Sequence, residues 1–362
     1  MMIGWGDVYK VVVATAPLYV ALLLGYGSVK WWRMLKAAEC DAVNRFNCYF
    51  ILPFFTFRFT SGVNPYSMNF RFLAADVVAK AAAGAVLAAW ANIGRRGNFA
   101  WAITSFSLYG FNNTLVVGVP LLKAMYGAAG EVLVVQSSVI QSLLWFPILL
   151  FLLEFRRARR GEDGDEDEDA TTKHELSAAD SSCGIISSSS SSFSCSNFRS
   201  TMKIVGVKLG KNPNCYACAL GLVWSLLANK WNIEMPSIIE GSIMIMGKAG
   251  SGVAMFSMGM FMGLQEKIIS CGVRLSIYSM VLRFVCAPVT TGVGCVALGL
   301  RSTTLSVAIL QAALPQSITC FVFAHEYNLH ANLLSTAVIF GTIVSLPLLI
   351  AYYAILDALS RN

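Results

Sequence analysis

Two adjacent amides, Asn112 and Asn113, stand in the middle of an apolar run that is long enough to cross a bilayer. Residues 101–126 read as hydrocarbon except for Tyr109-Gly110-Phe111-Asn112-Asn113-Thr114. Backbone polar groups at membrane depth must be satisfied within the protein, so such a break is tolerated only beside protein or a wet cavity. A neutral amide offers hydrogen-bond donors to an anion without the desolvation cost of a buried cation. A half-helix starting after Asn113 turns its positive end toward the same point, which suits a carboxylate. A second interruption, Gln311-Ala-Ala-Leu-Pro315-Gln316-Ser317, lies within the apolar run 303–323. Pro315 removes an N–H and clashes with the preceding turn, and a half-helix starting near Gln316 supplies another positive end. Paired breaks at corresponding places in two halves mark the substrate site of a transporter. The structural alternative is a pair of kinked packing helices whose amides are internally satisfied.

Other polar groups inside apolar runs are candidates because they are expensive there. Asp76 and Lys80 are one helical turn apart and pair along one face. Two roles stay open for them, a brace or proton site beside the broken helix and an ion pair that only orients its own helix. Lys248 and Arg283 have no nearby acid in sequence, and snorkelling to an interface is the expectation for both. Gln136, Gln141, Trp145 and Phe146 fall in one run, with Gln141 and Trp145 on a shared face. Enzyme motifs are absent. The histidines of His325-Glu326-Tyr-Asn-Leu-His330 are five apart and do not share a helix face as HExxH requires. Cys215-Tyr-Ala-Cys218 is a lone CxxC, and Gly247-Lys-Ala-Gly250-Ser-Gly252 lacks Walker spacing, reading instead as close helix packing. No metal or other cofactor is expected.

These residues must be positioned by membrane helices. The chain has 362 residues, of which 56% are hydrophobic and 13% charged, about half the charge of a soluble domain. Its net charge of +7 reflects basic residues bordering apolar runs rather than a nucleic-acid surface. The ten cysteines are scattered without a disulfide or zinc pattern. Runs long enough for ~30 Å of hydrocarbon fall at 8–29, 41–60, 71–92, 99–126, 131–154, 211–230, 237–264, 269–298, 303–325 and 331–357. The first lacks the basic flank of a signal peptide. The fold class expected is therefore an all-α polytopic membrane protein of ten helices. Residues 1–154 form a first five-helix repeat and 211–362 a second. Five spans per half force the halves into opposite orientations, an inverted repeat with broken crossover helices fourth and ninth. Lys30, Arg33, Lys36, Arg95, Arg96, Arg156, Arg157, Arg159, Arg160, Lys267 and Arg274 gather on one side, which places that side in the cytosol and both termini outside it.

Residues 155–210 separate the halves as a cytosolic loop, with an acidic run at 162–169 and unbroken serine at 187–192. This composition predicts a largely disordered segment. It serves either as a regulatory loop open to kinases or as a plain tether.

The residues resemble those of the plant PIN-FORMED auxin efflux carriers. The resemblance rests on Asn64-Pro-Tyr-Ser-Met-Asn-Phe-Arg-Phe-Leu-Ala-Ala-Asp76, Asn113-Thr-Leu-Val-Val-Gly-Val-Pro-Leu-Leu-Lys-Ala-Met-Tyr-Gly127 and Asn212-Pro-Asn-Cys-Tyr216. Gly252-Val-Ala-Met-Phe-Ser-Met-Gly259, Gln311-Ala-Ala-Leu-Pro-Gln316 and Leu334-Ser-Thr-Ala-Val-Ile-Phe-Gly341 complete it. The short loop is similar to that of the subclass associated with the endoplasmic reticulum, the plasma membrane being the alternative. The resemblance implies a homodimer in membrane lipid, with a scaffold from spans 1, 2, 6 and 7 and a moving transport domain from spans 3–5 and 8–10. It implies elevator-type export of indole-3-acetic acid and related aryl carboxylates from the cytosol. Within it, Asn113 holds the carboxylate, Pro315 is the second crossover proline, and Ile318 contacts the indole. Thr56 (usually serine), Gln141 and Phe146 (usually tyrosine) are support positions, and Asp76 and Lys80 are the paired groups of span three. Asn112 stands where the family has proline, and Lys248 where it has aspartate. Two other readings remain, a carrier of another organic anion on the same fold and a membrane receptor that binds auxin without transporting it.

Overall fold

The computed structural model describes residues 5–93, 99–163, 195–265 and 271–361, and every regular element among them is helical. The first half contains α1 (Trp5–Lys30), α2 (Ala37–Phe46), α3 (Leu52–Ser61), α4 (Phe70–Ile93), α5 (Phe99–Gly110), α6 (Val119–Ile140) and α7 (Phe146–Asp163). The second contains α8 (Cys195–Gly210), α9 (Pro213–Trp231), α10 (Ser237–Leu264), α11 (Val273–Val281), α12 (Ala287–Ala297), α13 (Ser302–Ala312), α14 (Ile318–Glu326) and α15 (Ala331–Arg361). The chain is a polytopic all-α membrane protein, and helix covers each of the ten apolar runs. By length and apolar composition alone, six helical stretches among the described residues are able to cross a bilayer. The others are more polar or divided, as α5, α13 and α14 are, because the chain leaves helical geometry at the two breaks.

Prolines set a second feature. The π-helical turns Asn47–Ile51, Thr114–Gly118, Gln141–Trp145 and Leu282–Cys286 are each followed two residues later by a proline, at 53, 120, 147 and 288. Proline donates no backbone hydrogen bond and its ring presses on the carbonyl four residues back. That carbonyl lies inside the π turn in all four cases, so a widened turn absorbs the clash and keeps the helix continuous. At one of them the freed carbonyl of Phe284 accepts a hydrogen bond from the Tyr352 hydroxyl at 2.6 Å.

Packing divides along the chain. α1 lies along α10, and α3 lies against α9 and α10. The α1–α10 crossing depends on glycine, because a Cβ at Gly259 would stand 2.0 Å from the Leu22 carbonyl oxygen and one at Gly25 2.1 Å from that of Phe256. Small residues allow such backbone approach in membranes, where packing rather than water drives association. α12 packs on α4 and α13, while α14 packs on α15. A second apolar cluster joins Leu108, Phe111, Trp145, Leu149 and Ala324 with Val205 of α8.

Within residues 155–210, expected to be largely disordered, 155–163 continue α7 and 195–210 form α8; residues 164–194, including most of the acidic run and all of the serine run, lie outside the described residues. α8 is held by Val205, which is buried, and by Lys208, whose ammonium lies 2.9 Å from Glu154 and 2.8 Å from Glu326 and donates to the Tyr327 hydroxyl at 2.7 Å. Burial works against the Lys208 charge, yet those three hydrogen bonds outweigh it and raise its pKa. Arg283 requires a correction. It does not snorkel but is buried at 2% exposure in the protein interior, whereas Lys248 is exposed.

Gly259→Val should lower the thermal unfolding midpoint of the detergent-solubilised protein, since overpacking costs about 1–3 kcal/mol where the backbone cannot yield. An unchanged midpoint would contradict the α1–α10 contact.

Candidate functional site

The two interruptions cross. Asn113 N–H donates to the Pro315 carbonyl at 2.9 Å, and Ser317 N–H donates to that of Phe111 at 3.1 Å. Asn112 and Gln316 thereby face each other as a one-pair antiparallel bridge. Each broken strand satisfies the other's backbone, which meets the demand that an unwound segment in hydrocarbon makes. Thr114–Gly118 and α14 then start on the far side of the bridge, with Asn113 and Ser317 as their capping residues.

Asn112 is the fastener of this crossing. It is 3% exposed, and all its polar groups are engaged. Its side-chain Nδ2 donates to the Gln311 carbonyl at 2.5 Å, and its Oδ1 accepts from Arg283. Its backbone N–H donates to Gln141 Oε1 at 3.1 Å, while Gln141 Nε2 donates back to the Asn112 carbonyl at 2.8 Å. Gln141 therefore reads the unwound backbone like a missing strand. Gln316 Nε2 donates to the Ser107 carbonyl at 2.7 Å, and Gln311 Nε2 to the Ser137 hydroxyl. In the sequence Gln311 and Gln316 stand only as flanks of Pro315. The signal was available, since amides beside a break are the neutral groups best able to bond freed carbonyls.

Asn113 differs from its neighbour. It is only partly buried, its side chain caps no helix N–H, and among the described residues it has no hydrogen-bond partner. It therefore presents a free amide at the positive end of the helix that starts at Thr114. Pro315 is buried and contributes its carbonyl to the bridge. Ile318 opens α14 and is partly buried against the central core. Phe146 stacks at 5.0 Å on Phe111, whose backbone is part of the crossing, and meets Phe323 edge-on at 6.1 Å. Thr56 is not brought into this group by a hydrogen bond. Its hydroxyl donates to Asn214 Oδ1 at 2.5 Å and so ties α3 to α9. Of the two, α9 meets the Gln141–Trp145 turn.

Asp76 and Lys80 are both buried, with Nζ 2.9 Å and 3.0 Å from the two carboxylate oxygens. Lys80 also lies 5.8 Å from the Trp145 ring centroid. Asp76 lines a small cavity with Phe72, Thr291, Ala308 and Gln311, the last of these at the edge of the second break. Among the described residues no group of three His, Cys, Asp or Glu is placed to hold a metal. His330 instead contacts Thr104 Oγ1 at 2.8 Å and stacks at 4.2 Å on Trp101.

Asn112→Ala should lower the thermal midpoint markedly, because it leaves Arg283 and the Gln311 carbonyl short of a buried partner, at about 1–3 kcal/mol for each. A midpoint equal to wild type would show that the bridge holds without its fastener.

The chain matches the family model described as "Membrane transport protein" over residues 10–353. It is 52% identical over 356 residues to Auxin efflux carrier component 5 of Arabidopsis thaliana, covering 98% of this chain and 99% of that protein. It is equally 52% identical over 360 residues to Probable auxin efflux carrier component 5a of Oryza sativa subsp. japonica, covering 98% and 99%. Auxin efflux carrier component 8 of Arabidopsis thaliana is 37% identical over 372 residues, covering 98% and 100%. With crossed half-helices at its centre and these matches along nearly its whole length, the chain belongs to the membrane transport protein family, among the auxin efflux carriers.

Proposed function

We propose that the protein is a secondary carrier that exports the auxin anion, indole-3-acetate, from the cytosol. The observation that carries this reading is the amide of Asn113, unpartnered among the described residues at the start of a half-helix, beside Asn112 and Gln141, whose amides are spent on structure. The half-helix N-terminus favours a carboxylate there, and Ile318 and Phe146 offer apolar and aromatic surface for the ring system. Asn112 and Gln141 act as positioning residues in this reading, Pro315 fixes the second break, and Thr56 supports the site from the neighbouring helix. Asp76 and Lys80 brace the second break, Asp76 sharing a small cavity with Gln311. The carriers named among its relatives support auxin as the substrate.

The mechanism follows from the charge. Indole-3-acetate is ionised at cytosolic pH and does not leave through lipid, so a carrier must shield it. A membrane potential positive on the far side favours outward movement by about 2.3 kcal/mol per 100 mV. The proposed architecture is two inverted five-helix repeats. The helices that gather around α1, α3, α9 and α10 form the scaffold, and those around the crossing move as the transport domain. We place both termini outside the cytosol and residues 155–210 within it. The short loop favours the endoplasmic reticulum membrane, and a homodimer embedded in lipid is the proposed assembly, with kinases as partners of the loop.

In reconstituted vesicles the wild type should mediate saturable net flux of labelled indole-3-acetate. Asn113→Ala should weaken its apparent affinity about 10- to 100-fold, the loss expected for one hydrogen bond to a carboxylate. Unaltered affinity in that variant would remove Asn113 from the site. Binding without net flux would favour a receptor, and failure of unlabelled auxin analogues to compete would favour another organic anion.

A further inference from the structure

The crossing contains a charge that the carrier reading above does not use. Arg283 projects from the π turn Leu282–Cys286 and is 2% exposed. Its Nε donates to the Leu314 carbonyl at 2.6 Å, and its Nη1 to the carbonyls of Tyr109 at 2.7 Å and Leu108 at 3.4 Å. Its Nη2 donates to Asn112 Oδ1. Leu108 and Tyr109 end α5, and Leu314 follows the end of α13, so one guanidinium joins the C-terminal ends of both first half-helices. Those ends carry partial negative charge and suit a cation. Among the described residues no carboxylate lies within ion-pair distance of Arg283, while Asp76 and Lys80 neutralise each other.

Helix ends solvate the guanidinium, but a dipole has no net charge and cannot cancel a charge that moves with it. We infer that Arg283 is the fixed cation of the crossing, a positioning residue that holds both breaks through four acceptors and leaves the empty moving core with one positive charge. A bound monocarboxylate brings that core to zero. The loaded core then crosses the membrane field without moving net charge, and the potential acts on the return of the empty one. The fixed charge also selects a monoanion over a neutral isostere such as the carboxamide. This inference rests on the carrier reading.

The test uses full-length protein in vesicles, with potentials set by potassium and valinomycin and labelled indole-3-acetate as the probe. In the wild type, exchange with saturating indole-3-acetate on both sides should change less than about twofold over 100 mV. Net flux should change several-fold, toward a ceiling of about 50-fold for one charge crossing the whole field. In Arg283→Gln the pattern should invert, since the empty core is then neutral and the loaded core negative. Arg283→Lys should keep the wild-type pattern at a lower rate, because charge survives and the forked geometry does not. A merely structural role would slow Arg283→Gln and leave its dependence on potential unchanged, which overturns the inference. Wild-type exchange as steep in potential as net flux also overturns it, and that arm needs no variant to fold. Absence of saturable wild-type flux would overturn the carrier reading itself, and this inference with it.

Discussion

The structure depends on one constraint, that two stretches of unwound backbone inside a membrane protein must satisfy each other. Phe111, Asn113, Pro315 and Ser317 do so with two main-chain hydrogen bonds. Everything around the crossing finishes the task. Gln141 bonds both the N–H and the carbonyl of Asn112, Gln316 reaches Ser107, and Arg283 gathers three carbonyls from the two helix ends. Each of these groups would be costly in hydrocarbon without its partner. The cost explains why an arginine sits at the centre of the molecule rather than at its surface. Once the backbone is satisfied, the side chain of Asn113 is released from structural duty, and two helix N-termini point into the same region.

The same economy of contact explains the helices that carry the crossing. Four prolines widen their helices into π turns instead of ending them, and three of those turns hold Thr114, Gln141 and Arg283. A widened turn changes which way a side chain projects without breaking the membrane-spanning path. The opposite strategy appears where α1 meets α10, with glycines instead of widened turns drawing two backbones together.

Much of this was legible in the sequence. Asn112, Asn113 and Pro315 announced the breaks because amides and proline are conspicuous in apolar runs, and Asp76 and Lys80 announced their pairing by helical spacing. The division of labour between Asn112 and Asn113 was not legible. It depends on which amide meets the Gln311 carbonyl, Gln141 and Arg283, all of them remote in sequence. Arg283 defies the sequence for the same reason, since three of its four acceptors are backbone carbonyls, which leave no mark in the residue string, and the fourth, Asn112, is remote in sequence. Thr56 meets Asn214 across 158 positions, which periodicity cannot foresee. α8 hides among polar residues; among the described residues a buried valine and a lysine cluster hold it, and neither makes an apolar pattern.

The central claim is that the crossed breaks form a carboxylate site at Asn113. The most direct measurement is an experimental structure of the full-length protein with indole-3-acetate bound. The carboxylate should lie within hydrogen-bond distance of the Asn113 amide and face the helix that starts at Thr114, with Asn112 still joined to Gln141. A carboxylate paired with Lys80 or Arg283 instead, with Asn113 turned away, would contradict it.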